Sequence, residues 1–143
     1  MYKGEFRYVD HVSDVMVEVF GQTLSQAFER SALALVNIIC DVSTVHPGTS
    51  MTIEVAGFDQ KSLLYNWLES VLLALLVNNL VLAEFSTNIR EQQGGIRLNA
   101  ACKGEPFFPH KHHYKVEVKA ITYHEMEITK SQGKWTIRFI VDL

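Results

Sequence analysis

The sequence predicts an α+β fold with a mainly antiparallel sheet and two major helices, in the order ββαβαββββ. Three observations carry that prediction. Two apolar patterns of helical period, near residues 24–40 and 60–77, sit among segments that alternate apolar and polar residues. The last third of the chain reads as strand after strand, with glycine-bearing turns between the runs. An order this rich in hairpins belongs to α+β folds, not to parallel βαβ repeats.

Each element has its own signal. Phe6-Arg7-Tyr8-Val9 reads as a short strand, and Val15, Val17 and Val19 alternate with Met16, Glu18 and Phe20 as a second strand ended by Gly21. Thr23 and Gln26 have capping-box spacing, and Leu24, Ala27, Phe28, Leu35, Val36 and Ile39 follow on one helical face. After Pro47 and Gly48, residues 51–55 form a strand closed by Gly57. Asp59 suits a helix N-cap, and Phe58 and Leu63 have the spacing of a hydrophobic staple. The second helix is apolar nearly all round, the pattern of a helix buried on more than one face. Phe85, Thr87 and Ile89 then pair through Gly94-Gly95 with Ile96, Leu98 and Ala100. Residues 104–115 read as a loop with two prolines and three histidines. Residues 118–128 read as one long strand, with Val118, Ala120, Thr122, His124, Met126 and Ile128 on one face. A turn at residues 131–134 leads into a last strand whose inner face is Trp135, Ile137, Phe139 and Val141.

Composition bounds the function. A chain of 143 residues is read as one domain spanning 1–143, with 48% hydrophobic and 20% charged residues as in ordinary globular proteins. A net charge of −3 and the lack of a Lys/Arg run argue against direct nucleic-acid binding. Cys40 and Cys102 are too few and too scattered for a zinc site or disulfide framework, and suit buried thiols in a reducing cytosol. Met1-Tyr2-Lys3-Gly4-Glu5 leads into a short strand pattern and not an apolar run, so no signal peptide is expected. The greasiest stretch, residues 71–77, is far shorter than the ~20 residues of a membrane span. A cytoplasmic protein without membrane attachment is expected.

The chemistry-bearing residues fall into three groups. His110, His112 and His113 form a histidine-rich loop with too few further ligands for zinc, and with Glu105 ahead of it the loop is a candidate binding surface. His124 lacks any readable nucleophile or orienting partner. No nucleophile elbow, phosphate loop or zinc-protease helix is present, so stand-alone catalysis finds little support. Asp10, Asp14 and Asp142 lie at strand ends, and the free carboxylate of Leu143 adds oxygens beside Asp142. If the sheet brings these ends together, they suit a hard cation such as Ca²⁺, Mg²⁺ or Mn²⁺; otherwise they are solvated strand ends.

Taken together these segments resemble the archease family. The family's Asp-His-Thr-Ala-Asp signature stands here as Asp10-His11-Val12-Ser13-Asp14, with both acids and the histidine kept. Its Gly-x-Ser/Thr-Leu-x-x-Ala-Phe helix start stands as Gly21-Gln22-Thr23-Leu24-Ser25-Gln26-Ala27-Phe28. The block from Val118 to His124 is the most specific match, and Gly104-Glu105, Lys111-His112 and the terminal Asp142-Leu143 also fit. The resemblance implies a divalent cation, most simply Ca²⁺, held by Asp14, Asp142 and Leu143. It implies a non-enzymatic activator of the GTP-dependent tRNA-splicing RNA ligase, which promotes guanylylation of the ligase and its multiple turnover. Asp10, His11, Glu105, Lys111, His112, Lys119 and His124 are the expected partner-binding residues. Two rival functions stay open: a metal-dependent hydrolase using Asp10, His11 and Asp14, and a chaperone-like interaction module using the apolar second helix.

Overall fold

The structure, a computed structural model, describes residues 13–143, so the strand expected at residues 6–9 lies outside the described residues. Strand β1 (Asp14–Gly21) alternates exposed and half-buried residues along its length, with Val15, Val17 and Val19 turned toward the core. Helix α1 (Leu24–Ile39) starts at Thr23, whose hydroxyl accepts from the Gln26 N–H at 3.0 Å. The capping-box spacing works with one change, because the Gln26 side chain reaches past the cap to accept from the Gln22 N–H at 2.7 Å.

A short 3₁₀ turn (Val42–Thr44) leads to strand β2 (Thr49–Gly57) and helix α2 (Gln60–Asn78). Asp59 and Ser62 cap α2 reciprocally, each side chain accepting from the other's N–H. The expected staple does not form. Leu63 is taken wholly into the core while Phe58 is 80% exposed, so the two never cover one another. The burial expected of α2 holds along most of its length, with Leu63, Leu64, Trp67, Leu68, Val71 and Leu72 enclosed. It fails at the C-terminal end, where Leu76 and Val77 are exposed. No helix among the described residues is long and apolar enough to cross a membrane.

The remaining strands are β3 (Leu80–Gln92), β4 (Gly95–Pro106), β5 (Ala120–Ile121), β6 (Glu127–Ser131) and β7 (Lys134–Asp142). They form two antiparallel sheets: β2-β4-β3, and β1-β7-β5 with β6 also paired to β7. Gly94 (φ 85°) and the pair Gln132 (φ 52°) and Gly133 (φ 77°) turn the two hairpins in the left-handed region where glycine is favoured. The long strand expected over residues 118–128 is broken. β5 leaves the ladder opposite Val141, and β6 rejoins it opposite Arg138. Between them the Thr122 hydroxyl donates to the Ile140 carbonyl (2.8 Å), the Met126 N–H donates to the Tyr123 carbonyl (3.1 Å), and Glu125 adopts φ 52°. That turn is made by side-chain and backbone bonds which an alternating pattern does not reveal. β4 also runs on through Pro106, so the loop begins later than the sequence suggests.

Both helices and both sheets contribute to one apolar cluster. Trp67 stands at its centre, donating its indole N–H to the Phe28 carbonyl of α1 (2.9 Å) and meeting Phe85 edge-on at 5.7 Å. A buried indole with its polar atom paired fixes how the helices sit together. The outer face of the sheet of β1 and β7 carries the exposed Met16, Glu18 and Phe20, whereas Ile140 on the same face is buried.

Candidate metal and partner site

Asp14 and Asp142 stand opposite one another in the β1–β7 ladder. One position along, the Leu143 N–H donates to the Ser13 carbonyl at 2.9 Å. Pairs alternate along an antiparallel ladder, so Asp14 and Asp142 form a non-hydrogen-bonded pair, the kind whose side chains approach most closely. Both residues are exposed and lie on the outer face, since Val15 and Val141 on either side turn inward. Like charges placed opposite one another repel unless a cation or protons offset them. Among the described residues neither carboxylate takes part in a salt bridge: the acids that do are Glu18, Glu105 and Glu125.

The donor set fits a hard cation. Two carboxylates and the main-chain oxygen of Leu143 present oxygen alone, which suits Ca²⁺, Mg²⁺ or Mn²⁺ better than zinc. Side chains alone make a pair here: no group of three His, Cys, Asp or Glu converges among the described residues. Lys119 reaches the same end of the sheet, its N–H donating to the Asp142 carbonyl at 2.8 Å. Asp10 and His11 lie outside the described residues.

The histidine-rich loop is organised differently. Glu105 Oε2 meets His112 Nε2 at 2.8 Å and accepts from the His46 N–H at 2.8 Å, while Oε1 accepts from Lys111 Nζ at 2.7 Å. The Phe108 N–H donates to His112 Nδ1 (3.0 Å), so that nitrogen carries no proton and the Nε2 proton points at Glu105. His112 is fully buried and stacked on Phe107 at 5.6 Å. Its hydrogen bond, followed by those of His46 and Lys111, pulls the Glu105 carboxyl down to about 2. A carboxylate–histidine pair invites a catalytic reading, but both ring nitrogens are committed and no face is open to substrate. This overturns the expectation that His112 touches a partner: it holds the loop together. Lys111 and His124 do face solvent, whereas Glu105 is mostly covered. The loop is also tied to α1, through the Lys115 N–H on the Ile39 carbonyl and Lys115 Nζ on the Asn37 carbonyl, both at 2.8 Å.

The position of Tyr123 against α2 is not legible in an alternating pattern. Tyr123 stacks on Tyr65 of α2 at 4.5 Å and 7° between planes, yet remains 52% exposed. Partial burial, and then the nearby Asp59 and Glu69 carboxylates, raise its phenol pKa.

The model of the archease protein family matches residues 6–143. The protein archease of Pyrococcus furiosus is 37% identical over 140 residues, covering 97% of this chain and 99% of the relative. That of Methanosarcina mazei is 32% identical over 140 residues, covering 97% and 96%. The solution structure of Methanobacterium thermoautotrophicum protein 1598 superposes with a TM-score of 0.80 at 32% identity, covering 94% of this chain and 96% of the other. A Thermotoga maritima crystal structure, described as an archease and possible chaperone, shares the fold at a TM-score of 0.60 and 13% identity, covering 96% and 97%.

Proposed function

The chain belongs to the archease family, and on that premise we propose that it is a non-enzymatic activator of the GTP-dependent tRNA-splicing RNA ligase. It promotes guanylylation of the ligase and its repeated turnover by presenting a cation-bearing acidic surface. The observation that carries this reading is the register of Asp14 against Asp142, two exposed carboxylates held side by side without a salt bridge among the described residues. A bound divalent cation, most simply Ca²⁺, would supply fixed positive charge at that edge. Asp14 and Asp142 would hold it with the main-chain oxygen of Leu143, and the β1–β7 ladder keeps the two carboxylates in place. Lys119, Lys111 and His124 are exposed and available to the partner.

The test is the rate of ligase guanylylation with and without the chain. Stimulation by the wild type that is lost in Asp142→Ala supports the proposal; an equal rate with and without the wild type sinks it. Exposed Leu76 and Val77 favour a second reading, a module that holds unfolded clients through α2. Such a module would suppress aggregation of unrelated proteins equally well in a chelator.

A further inference from the structure

The proposed cation site makes no use of the seam between β2 and α2. β2 is the outer strand of its sheet. Asn66 Nδ2 donates to the Ala56 carbonyl at 2.8 Å, so the main-chain groups of Ala56 point away from β4. Along an antiparallel ladder alternate residues share that direction, and β2 pairs β4 with no shift in register. Ser50, Thr52 and Glu54 therefore also direct N–H and C=O outward. Among the described residues no main-chain group bonds to them on that side. The far edge of the same sheet is closed. There the Thr87 N–H of β3 donates to Glu29 of α1 (2.8 Å), and the Thr87 hydroxyl donates to the Ser25 carbonyl (3.3 Å). Covering an edge in this way is how sheets avoid unwanted pairing; on β2 the bond from Asn66 covers Ala56 alone, and Ser50, Thr52 and Glu54 have no such cover among the described residues.

Two hollows lie along the open seam. One, of about 280 Å³, runs beside residues 51–54 and is walled by Leu73 and Ala74. The other, of about 500 Å³, lies where β2 passes into α2, beside Phe58, Asn66 and Tyr123. Leu73 is 43% exposed, and Phe58 is free because the staple does not form. Tyr123 is held at the rim by its stack on Tyr65.

We infer that this seam takes an extended segment of a partner protein, added as a strand beside β2. One apolar side chain of that segment lies against Leu73 and Ala74, and a second, about four residues away, is anchored between Phe58 and Tyr123. Outward donors and acceptors recurring roughly every 6.8 Å are matched by another extended main chain and by little else. The inference rests on the proposed function, under which the partner is the RNA ligase.

Amide hydrogen exchange on the full chain, alone and with the ligase, tests it. The Thr52 and Glu54 amides should exchange freely in the chain alone and slow at least about ten-fold in the complex, while Ile53 and Val55 are protected in both. Thr52→Pro removes one outward N–H and leaves the pairing with β4 intact; Leu73→Glu spoils the hollow and covers the case in which the proline variant misfolds. Each should weaken ligase binding at least about ten-fold. If the wild type does not bind the ligase, the proposed function and this inference fall together. If it binds with Thr52 and Glu54 exchange unchanged and both variants at wild-type affinity, this inference alone falls. Slow exchange at Thr52 and Glu54 in the free chain would mean that the edge is already occupied, by the chain itself or a second copy, and would also overturn it.

Discussion

Glu105 near the end of β4 and Asp142 at the end of β7 are both strand-end carboxylates, yet their surroundings are opposite. Glu105 accepts from His112, His46 and Lys111, and its partner His112 is buried with its other nitrogen taken by Phe108. Asp142 faces Asp14 across the ladder, exposed and without a salt bridge among the described residues. A polar cluster whose valences are all used inside the fold contributes to structure. Two carboxylates held opposite one another repel unless something offsets their charge, and under the proposed function that something is a bound cation. Titratable residues alone do not distinguish the two cases; the count of satisfied bonds does.

The contrast can be broken most forcefully at His112. His112→Ala should destabilise the chain by about 2–4 kcal/mol in urea unfolding, because it opens a cavity and leaves the Phe108 N–H unpaired. A loss within measurement error would make the closed cluster ornamental. Glu105 gives the same cluster a pH signature. Its folded value of about 2 lies below the ordinary 4.5, so its contribution is present above pH 4.5 and is lost as pH falls through about 2. Glu105→Gln should therefore flatten the acid limb of stability against pH in that window, and an unchanged limb would remove the cluster's electrostatic role.

The open pair should behave in the reverse sense. In chelator, Asp142→Asn relieves a like-charge pair and should leave stability unchanged or raise it by about 0.2–1 kcal/mol. A loss of several kcal/mol, on the scale reserved for buried networks, would show that the pair is structural after all. The smallest effect belongs to Glu18, which meets Arg138 at 2.9 Å on the same outer face with both side chains well exposed. Glu18→Gln should shift stability by less than about 0.5 kcal/mol, as exposed ion pairs do.

Periodicity made most of the fold legible. Both helices fall within a residue or two of their apolar patterns, and the Asp59 cap and the glycine-bearing hairpin turns stand where composition suggests. What failed was long-range or local in ways that a pattern hides. The break after β5 depends on the Thr122 hydroxyl finding the Ile140 carbonyl, eighteen residues away. Phe58 has staple spacing, but the core claims Leu63 first. Strand-end position drew attention to Asp14 and Asp142, and only the register of β1 on β7 brings them together. His112 looked like a surface residue because its loop is polar; its burial comes from Glu105, Phe107 and Phe108, none of which betrays the contact in sequence.

Under the proposed function the Asp14–Asp142 pair holds a divalent cation, and calorimetric titration of Ca²⁺ into the full chain measures that directly. The wild type should take up one ion with a heat signal that is lost in Asp14→Asn and in Asp142→Asn and kept in Glu18→Gln. Undiminished Ca²⁺ binding in both Asn variants, or no binding of Ca²⁺, Mg²⁺ or Mn²⁺ by the wild type, would contradict it.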